Sequence, residues 1–201
     1  MNKEKRKKAG VAIIIISFIL GIVIGYFAND FTKEKYWYHF DAGENILLNS
    51  GFEYEDVNNP IYWIKAMIPA ENLTMLYESD EAHSGNRSVS INNTHIYDEE
   101  VSNNWFQPIN IVPLNRIVEL SGWIKTIDAE SVVMVIRCED ENDNLVGFGT
   151  TKSNFNITGT SEWTKYTALV KVPSETEAIR VLLALTGTGQ VWFDDVTLVV
   201  K

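Results

Sequence analysis

The sequence predicts an all-β sandwich or jelly roll preceded by a single N-terminal transmembrane helix. Three observations lead there. From Asn45 onward, runs rich in Val, Ile, Thr and aromatic residues alternate with polar residues, the period of a half-buried strand. Clusters of Asn, Pro, Gly and Ser punctuate those runs at short intervals, as the turns of antiparallel sheets do. The one long stretch of different character is Ala9–Ala28, twenty residues without a charge.

That stretch divides the chain into four parts. Residues 1–8 form a basic tail that carries five Lys/Arg and one Glu. Residues 9–28, at about 1.5 Å per residue, make a helix of about 30 Å, the thickness of a bilayer core. The polar face of a buried soluble helix is missing from it. A cleaved signal peptide is the competing reading. The nearest cleavage-like site, Tyr26-Phe27-Ala28, places Tyr where a small residue belongs, which favours an uncleaved signal-anchor. In both cases the basic flank stays cytoplasmic and the remainder is extracytoplasmic, held at the cell membrane by a single pass or secreted after cleavage. Residues 29–43 are a connector whose Tyr36–Phe40 aromatics suit either the membrane surface or the base of the domain. Residues 44–201 are the sandwich.

Within the sandwich, strands are expected at Asn45–Leu48, Tyr62–Ile68, Leu73–Glu78, Ser88–Asn92, Asn104–Val112, Arg116–Thr126, Val132–Glu139, Leu145–Thr151, Trp163–Val172, Ala178–Thr186 and Gln190–Val200. Alternation assigns their faces. Val118, Leu120, Gly122 and Ile124 point inward, with Trp123 opposite. Val132, Met134, Ile136 and Cys138 point inward, with Arg137 and Glu139 opposite. Ile179, Val181, Leu183 and Leu185 point inward, with Arg180 opposite. Each strand thus has one dry and one mixed face, as a sandwich with a free outer surface requires. In the last strand, strict alternation sends Asp194 and Asp195 to opposite faces.

Composition narrows the functional classes. From Ala9 onward 26 acidic residues stand against 12 basic ones, a net charge of −14. Such a surface disfavours nucleic acid, whose binding rests on phosphate neutralisation by Lys and Arg, and no nucleic-acid partner is expected. The single Cys138 excludes an intramolecular disulfide, so an extracytoplasmic domain must be held by its core and by other devices such as a metal. No spacing of the three His residues resembles a zinc site or a nucleophilic triad. The acidic run Glu139–Asn144 reads as a solvated hairpin, because Leu145 and Thr151 stand where a calcium loop needs Gly and Glu. The chain is therefore read as non-enzymatic.

Several short motifs occur in a recognisable order: Asn45-Ile-Leu-Leu-Asn-Ser-Gly-Phe-Glu53, Trp63, Ala82-His-Ser-Gly-Asn-Arg-Ser88, Trp105-Phe-Gln107, Leu120-Ser-Gly-Trp-Ile-Lys125, Trp163-Thr-Lys-Tyr166 and Val191-Trp-Phe-Asp-Asp-Val196. Together they resemble carbohydrate-binding modules of families four, nine and twenty-two, which are galactose-binding-like jelly rolls. The resemblance implies a structural Ca²⁺ where the first and last strands meet. Its ligands would be carboxylates of Glu53 and Asp195, with oxygens from Gly51, Ser84 and Asn86. It also implies a glycan or polysaccharide ligand, with Trp105 and Phe148 as groove aromatics and Gln107, Arg137 and Glu139 supplying hydrogen bonds; Trp123, turned away from the core, is a further ring for that site. The expected role is an anchored extracytoplasmic glycan-binding module. The alternative is a structural or protein-interaction adaptor with a surface-protein partner.

Overall fold

The computed structural model describes residues 38–78 and 80–201. The basic tail, the anchor at 9–28 and the connector up to residue 37 lie outside the described residues. Among the described residues no helix is long and apolar enough to cross a membrane.

The chain from Phe40 to Lys201 forms one compact unit. It contains eleven strands: β1 (Glu55–Asp56), β2 (Asn59–Pro60), β3 (Ile64–Ala66), β4 (Leu73–Glu78), β5 (Ser88–Asn93), β6 (Ser102–Ile109), β7 (Ile117–Glu139), β8 (Leu145–Thr150), β9 (Ile157–Lys171), β10 (Ala178–Thr186) and β11 (Gly189–Val200). One 3₁₀ turn, Thr151–Ser153, follows β8. The small β1–β2 hairpin stands apart, and the other nine strands form one continuous antiparallel sheet.

The two strands expected at Arg116–Thr126 and Val132–Glu139 are a single one. β7 is 23 residues long. Its first half pairs with β11 and β9, and its second half with β10 and β8. One strand therefore serves both layers: β4-β5-β11-β7-β9 on one side and β3-β6-β10-β7-β8 on the other. Asp128, with φ +47, lies where the strand changes layers. The two halves of β7 pack on each other, since a Cβ at Gly122 would lie 2.9 Å from Met134 Sδ and 3.2 Å from Val196 Cγ2. A second tie crosses the layers where Trp105 Nε1 donates to Ser90 O at 3.1 Å.

The core is built by the residues that alternation points inward. Val118, Leu120 and Ile124 meet Met134, Ile136, Val181, Leu183 and Leu185 in one buried cluster, which also holds Phe40, Leu47 and Phe52. Cys138 is buried there as a small hydrophobe. Burial raises its thiol pKa to about 11, so it carries no thiolate at neutral pH.

Other expectations need correction. Asn45–Leu48 contributes one isolated bridge, Asn45 to Val199, rather than a strand. Thr158–Ser161, left between two expected strands, lies inside β9. The hairpin at 55–60 was not foreseen, because its two-residue turn is Val57-Asn58, both with positive φ. Val is a poor sequence signal for that geometry.

Candidate functional site

Two places gather polar side chains: the outer face of the β3-β6-β10-β7-β8 layer, and a clasp where the last strand meets the 83–87 turn.

The outer face is assembled by register. Ile179 and Cys138 point into the core, so their neighbours Arg180 and Arg137 point outward, directly across from each other on β10 and β7. On β8, Phe148 is the cross-strand partner of Arg137 and is 54% exposed. One row along, Ile64, Phe106, Leu182 and Val135 form a continuous apolar line across four strands. Beneath the two arginines lies Glu139, only 1% exposed, with Oε1 3.1 Å from Arg137 Nε and Oε2 3.2 Å from Arg180 Nε. These are ion-pair contacts whose angles miss hydrogen-bond geometry, and both carboxylate oxygens otherwise lack partners. A buried carboxylate needs such compensation. Arg180 Nη2 also reaches Asp143 Oδ1 at 3.3 Å, so the hairpin expected at Glu139–Asn144 borders the face. That hairpin is closed by Asp140, whose carboxylate accepts from the backbones of Asn142 and Asn144 and from the Asn144 side chain. These donors hold its pKa below the ordinary value, the Asn144 side chain most.

Of the six residues expected to bind ligand, Arg137, Glu139 and Phe148 come together here. Trp105 and Gln107 do not. Trp105 is fully buried, with its indole N–H bound to Ser90 O. Gln107 is 3% exposed, and its amide bridges the backbone of Leu48 in both directions, accepting at 2.8 Å and donating at 2.9 Å. Both sit on the inward phase of β6, which leaves Phe106 and Pro108 facing out. Trp123 faces out, but on the other layer. Arg180, Phe106 and Ile64 belong to the outer face and were not singled out. For Arg180 the outward phase was readable, whereas its position beside Arg137 depends on register.

The clasp covers the opposite layer. Asp195 has φ +48, and the β11–β7 register shifts between Asp194 and Thr197. This bulge overturns the expectation that the two carboxylates diverge, because an extra residue re-aims the side chains that follow it. Asp194 Oδ2 accepts from the backbone N–H of His83 at 2.7 Å and of Ser84 at 3.0 Å, and Oδ1 from that of Asp195 at 2.7 Å. Asp195 Oδ2 lies 2.7 Å from His83 Nδ1, while Oδ1 accepts from Ser84 Oγ at 2.9 Å. The His83 ring stacks on Trp123 at 3.8 Å and meets the edge of Trp163 at 5.9 Å. On the other side, Glu53 Oε1 accepts from Asn86 N at 2.8 Å and Arg87 N at 3.0 Å. Burial pushes the Asp194 carboxyl up to about 6 against the pull of its N–H donors.

The five residues expected to hold Ca²⁺ do converge: a Cβ at Gly51 would lie 3.5 Å from Asp195 Oδ1 and 3.9 Å from Glu53 Cγ. Hydrogen-bond donors already occupy Glu53 Oε1 and Asp195 Oδ1 there. Ca²⁺ takes six to eight oxygen ligands, yet Asn86 meets Glu53 through its N–H and Ser84 meets Asp195 through its O–H. Among the described residues no group of three or more His, Cys, Asp or Glu side chains is arranged to hold a metal. The clasp is closed by hydrogen bonds.

No known protein family's sequence model matches this chain. An uncharacterized HTH-type transcriptional regulator, YbfP of Bacillus subtilis (strain 168), is 33% identical over 84 residues, which is 41% of this chain and 28% of that protein. The likeness thus spans little more than a quarter of that relative. Among solved structures, the enzymatically active domain of bacteriophage CBA120 tailspike protein 4 superposes with a TM-score of 0.61 and 16% identity, covering 78% of this chain but 21% of the tailspike. A putative sugar binding protein from Bacteroides thetaiotaomicron VPI-5482 gives 0.59 and 18%, covering 79% of this chain and all of that one. The CBM22-1 xylan-binding domain of Paenibacillus barcinonensis Xyn10C gives 0.58 and 15%, covering 81% of this chain and 97% of that domain. At these identities the likeness establishes the fold. The described domain is an all-β sandwich of the kind seen in carbohydrate-binding modules.

Proposed function

We propose that this domain is a non-catalytic saccharide-binding module whose ligand lies on the outer face of the β3-β6-β10-β7-β8 layer. The observation that carries the reading is the group formed by exposed Phe148, the facing Arg137 and Arg180, and the buried Glu139 that fixes both guanidinium groups. A ring beside an apolar line offers a platform for a pyranose face. Guanidinium groups held through Nε leave the Nη hydrogens of Arg137, and those of Arg180 that Asp143 does not take, for hydroxyl oxygens. Two similar solved structures are described as a xylan-binding domain and a sugar binding protein, and both are covered almost end to end; the enzyme chain is matched over a fifth of its length. Those proportions favour a binding module over a catalyst. Anchoring by residues 9–28, with the domain outside the cell, completes the proposal and would bring cell-envelope polysaccharide within reach.

A glycan-array screen of the full chain in detergent tests it. Saturable binding that falls at least tenfold, about 1.4 kcal/mol, in both Phe148→Ala and Arg137→Ala supports the reading. Binding that both variants retain would move the ligand elsewhere. No binding to any glycan would favour the adaptor role.

A further inference from the structure

We propose a second saccharide site, separate from the sheet face, in the cleft beside the β1–β2 hairpin, taking one or two rings of a neutral sugar. The cleft is lined by Asp56, Asn59, Pro60, Ile61, Tyr62 and Trp63, with a volume of about 400 Å³. That is at the small end of ligand pockets, roughly 300–1,000 Å³, which suits the end of a glycan better than a long chain.

Tyr62 has φ +72 and is 55% exposed. A bulky side chain in the left-handed region costs about 1–2 kcal/mol, and such strain persists where the surroundings impose it, often at ligand sites. Here the imposing contacts are explicit. Ile61 N donates to Tyr54 O at 3.1 Å, and Trp63 N donates to Pro60 O at 3.3 Å. The Asn49 amide donates to Tyr54 O and Ile61 O, and Trp63 Nε1 donates to Asn49 O. The backbone on both sides of Tyr62 is thereby pinned, and more than half of the residue is left exposed.

The polar lining specifies the ligand. The Asp56 side chain makes no hydrogen bond or ion pair among the described residues, whereas its neighbour Glu55 is paired with Arg87 at 3.2 Å. Asn59 spends one amide hydrogen on Val57 O at 3.2 Å, which leaves its carbonyl oxygen and its other hydrogen. A free carboxylate and amide beside an aromatic ring match the hydroxyls and C–H face of a sugar. Among the described residues no cation lines the cleft, and Asp56 repels acidic sugars, so the class is neutral. The inference does not depend on the sheet face, because none of these residues lies in the layer that carries Phe148 and Arg137.

The test is a ¹H–¹⁵N titration of the full chain in detergent micelles. The probes are the methyl β-glycosides of glucose, galactose and xylose, with glucuronic acid as the acidic comparison. Amides of 56–59 and 61–63 are expected to shift saturably with at least one neutral glycoside and not with glucuronate. Tyr62→Gly suits the backbone angle and removes the ring, so it should weaken those shifts at least tenfold without lowering the melting temperature. Phe148→Ala should leave them in place. The proposal is overturned if residues 56–63 do not respond, if Tyr62→Gly responds like the wild type, or if Phe148→Ala abolishes the response. A sheet face that binds nothing would sink the first site and leave this one standing.

Discussion

His83 is held to Asp195 by a 2.7 Å contact between Nδ1 and Oδ2, while the same imidazole lies flat on Trp123 at 3.8 Å. Through this one side chain, the turn after β4 is fixed both to the end of the chain and to the first half of β7. The neighbouring Asp194 takes the backbone N–H groups of the same turn. Coverage of the outer face of this layer thus rests on hydrogen bonds and stacking.

Replacing His83 with Ala removes the contact and the stack together. Ring stacking contributes about 0.5–1.5 kcal/mol, and a half-exposed charge-assisted bond adds at most about 1 kcal/mol after solvent screening. A loss of about 1–2 kcal/mol should lower the melting temperature by roughly 3–6 °C for a domain of this size. Because N–H and O–H groups satisfy Glu53 and Asp195, adding EDTA should leave the wild-type transition in place. Calorimetry with and without chelator measures both effects. A chelator-induced fall as large as that of His83→Ala would show that an ion closes the clasp.

Asp194 predicts a pH dependence of unusual sign for a carboxylate. Its pKa is raised from 3.8 to about 6 in the folded protein by burial, so between these values the folded state binds more protons than the unfolded one. The associated stability is fully present below about pH 3.8 and is lost as pH rises through about 6. Melting curves of wild type and Asp194→Asn between pH 7 and pH 4.5 isolate the group. The difference should move in favour of the wild type as pH falls. A difference that is flat with pH, or that moves toward the variant, contradicts the assignment.

The sequence disclosed the fold more readily than the face. β4 and β10 run over the residues that alternation predicts, because each carries a full apolar phase. In Asn104-Trp-Phe-Gln107 both phases carry an aromatic, and alternation alone does not say which one is buried; the structure buries Trp105 and turns Phe106 out. The bulge at Asp195 breaks the period on which its orientation was argued. The Arg137–Glu139–Arg180 group joins strands about forty residues apart in the chain, so it depends on pairing register. Glu139 followed the outward phase yet is buried, beside a second irregularity between Cys138 and Glu139. Local pattern was enough for the core, while both candidate sites needed the points where pattern fails.

The change of layer in β7 yields the last prediction. Beside Asp128 and Ala129, where the strand turns from one layer to the other, β11 begins at Gly189 with φ +116. A Cβ on Gly189 would overlap Ala129 Cα and lie 2.8 Å from Ala129 N. These are backbone atoms, which cannot rotate away as a side chain does. The left-handed conformation costs an L-residue about 1–2 kcal/mol, and overpacking against an unyielding wall about 1–3 kcal/mol more. Gly189→Ala should therefore destabilise the domain by about 3 kcal/mol, measured by urea unfolding. Gly159 also has positive φ, at +73, but nothing lies within 4 Å of its Cβ position. Gly159→Ala should lose only the conformational part. If the two variants were equally destabilised, backbone angle alone would account for both, and the close approach of β11 to the bend of β7 would contribute nothing.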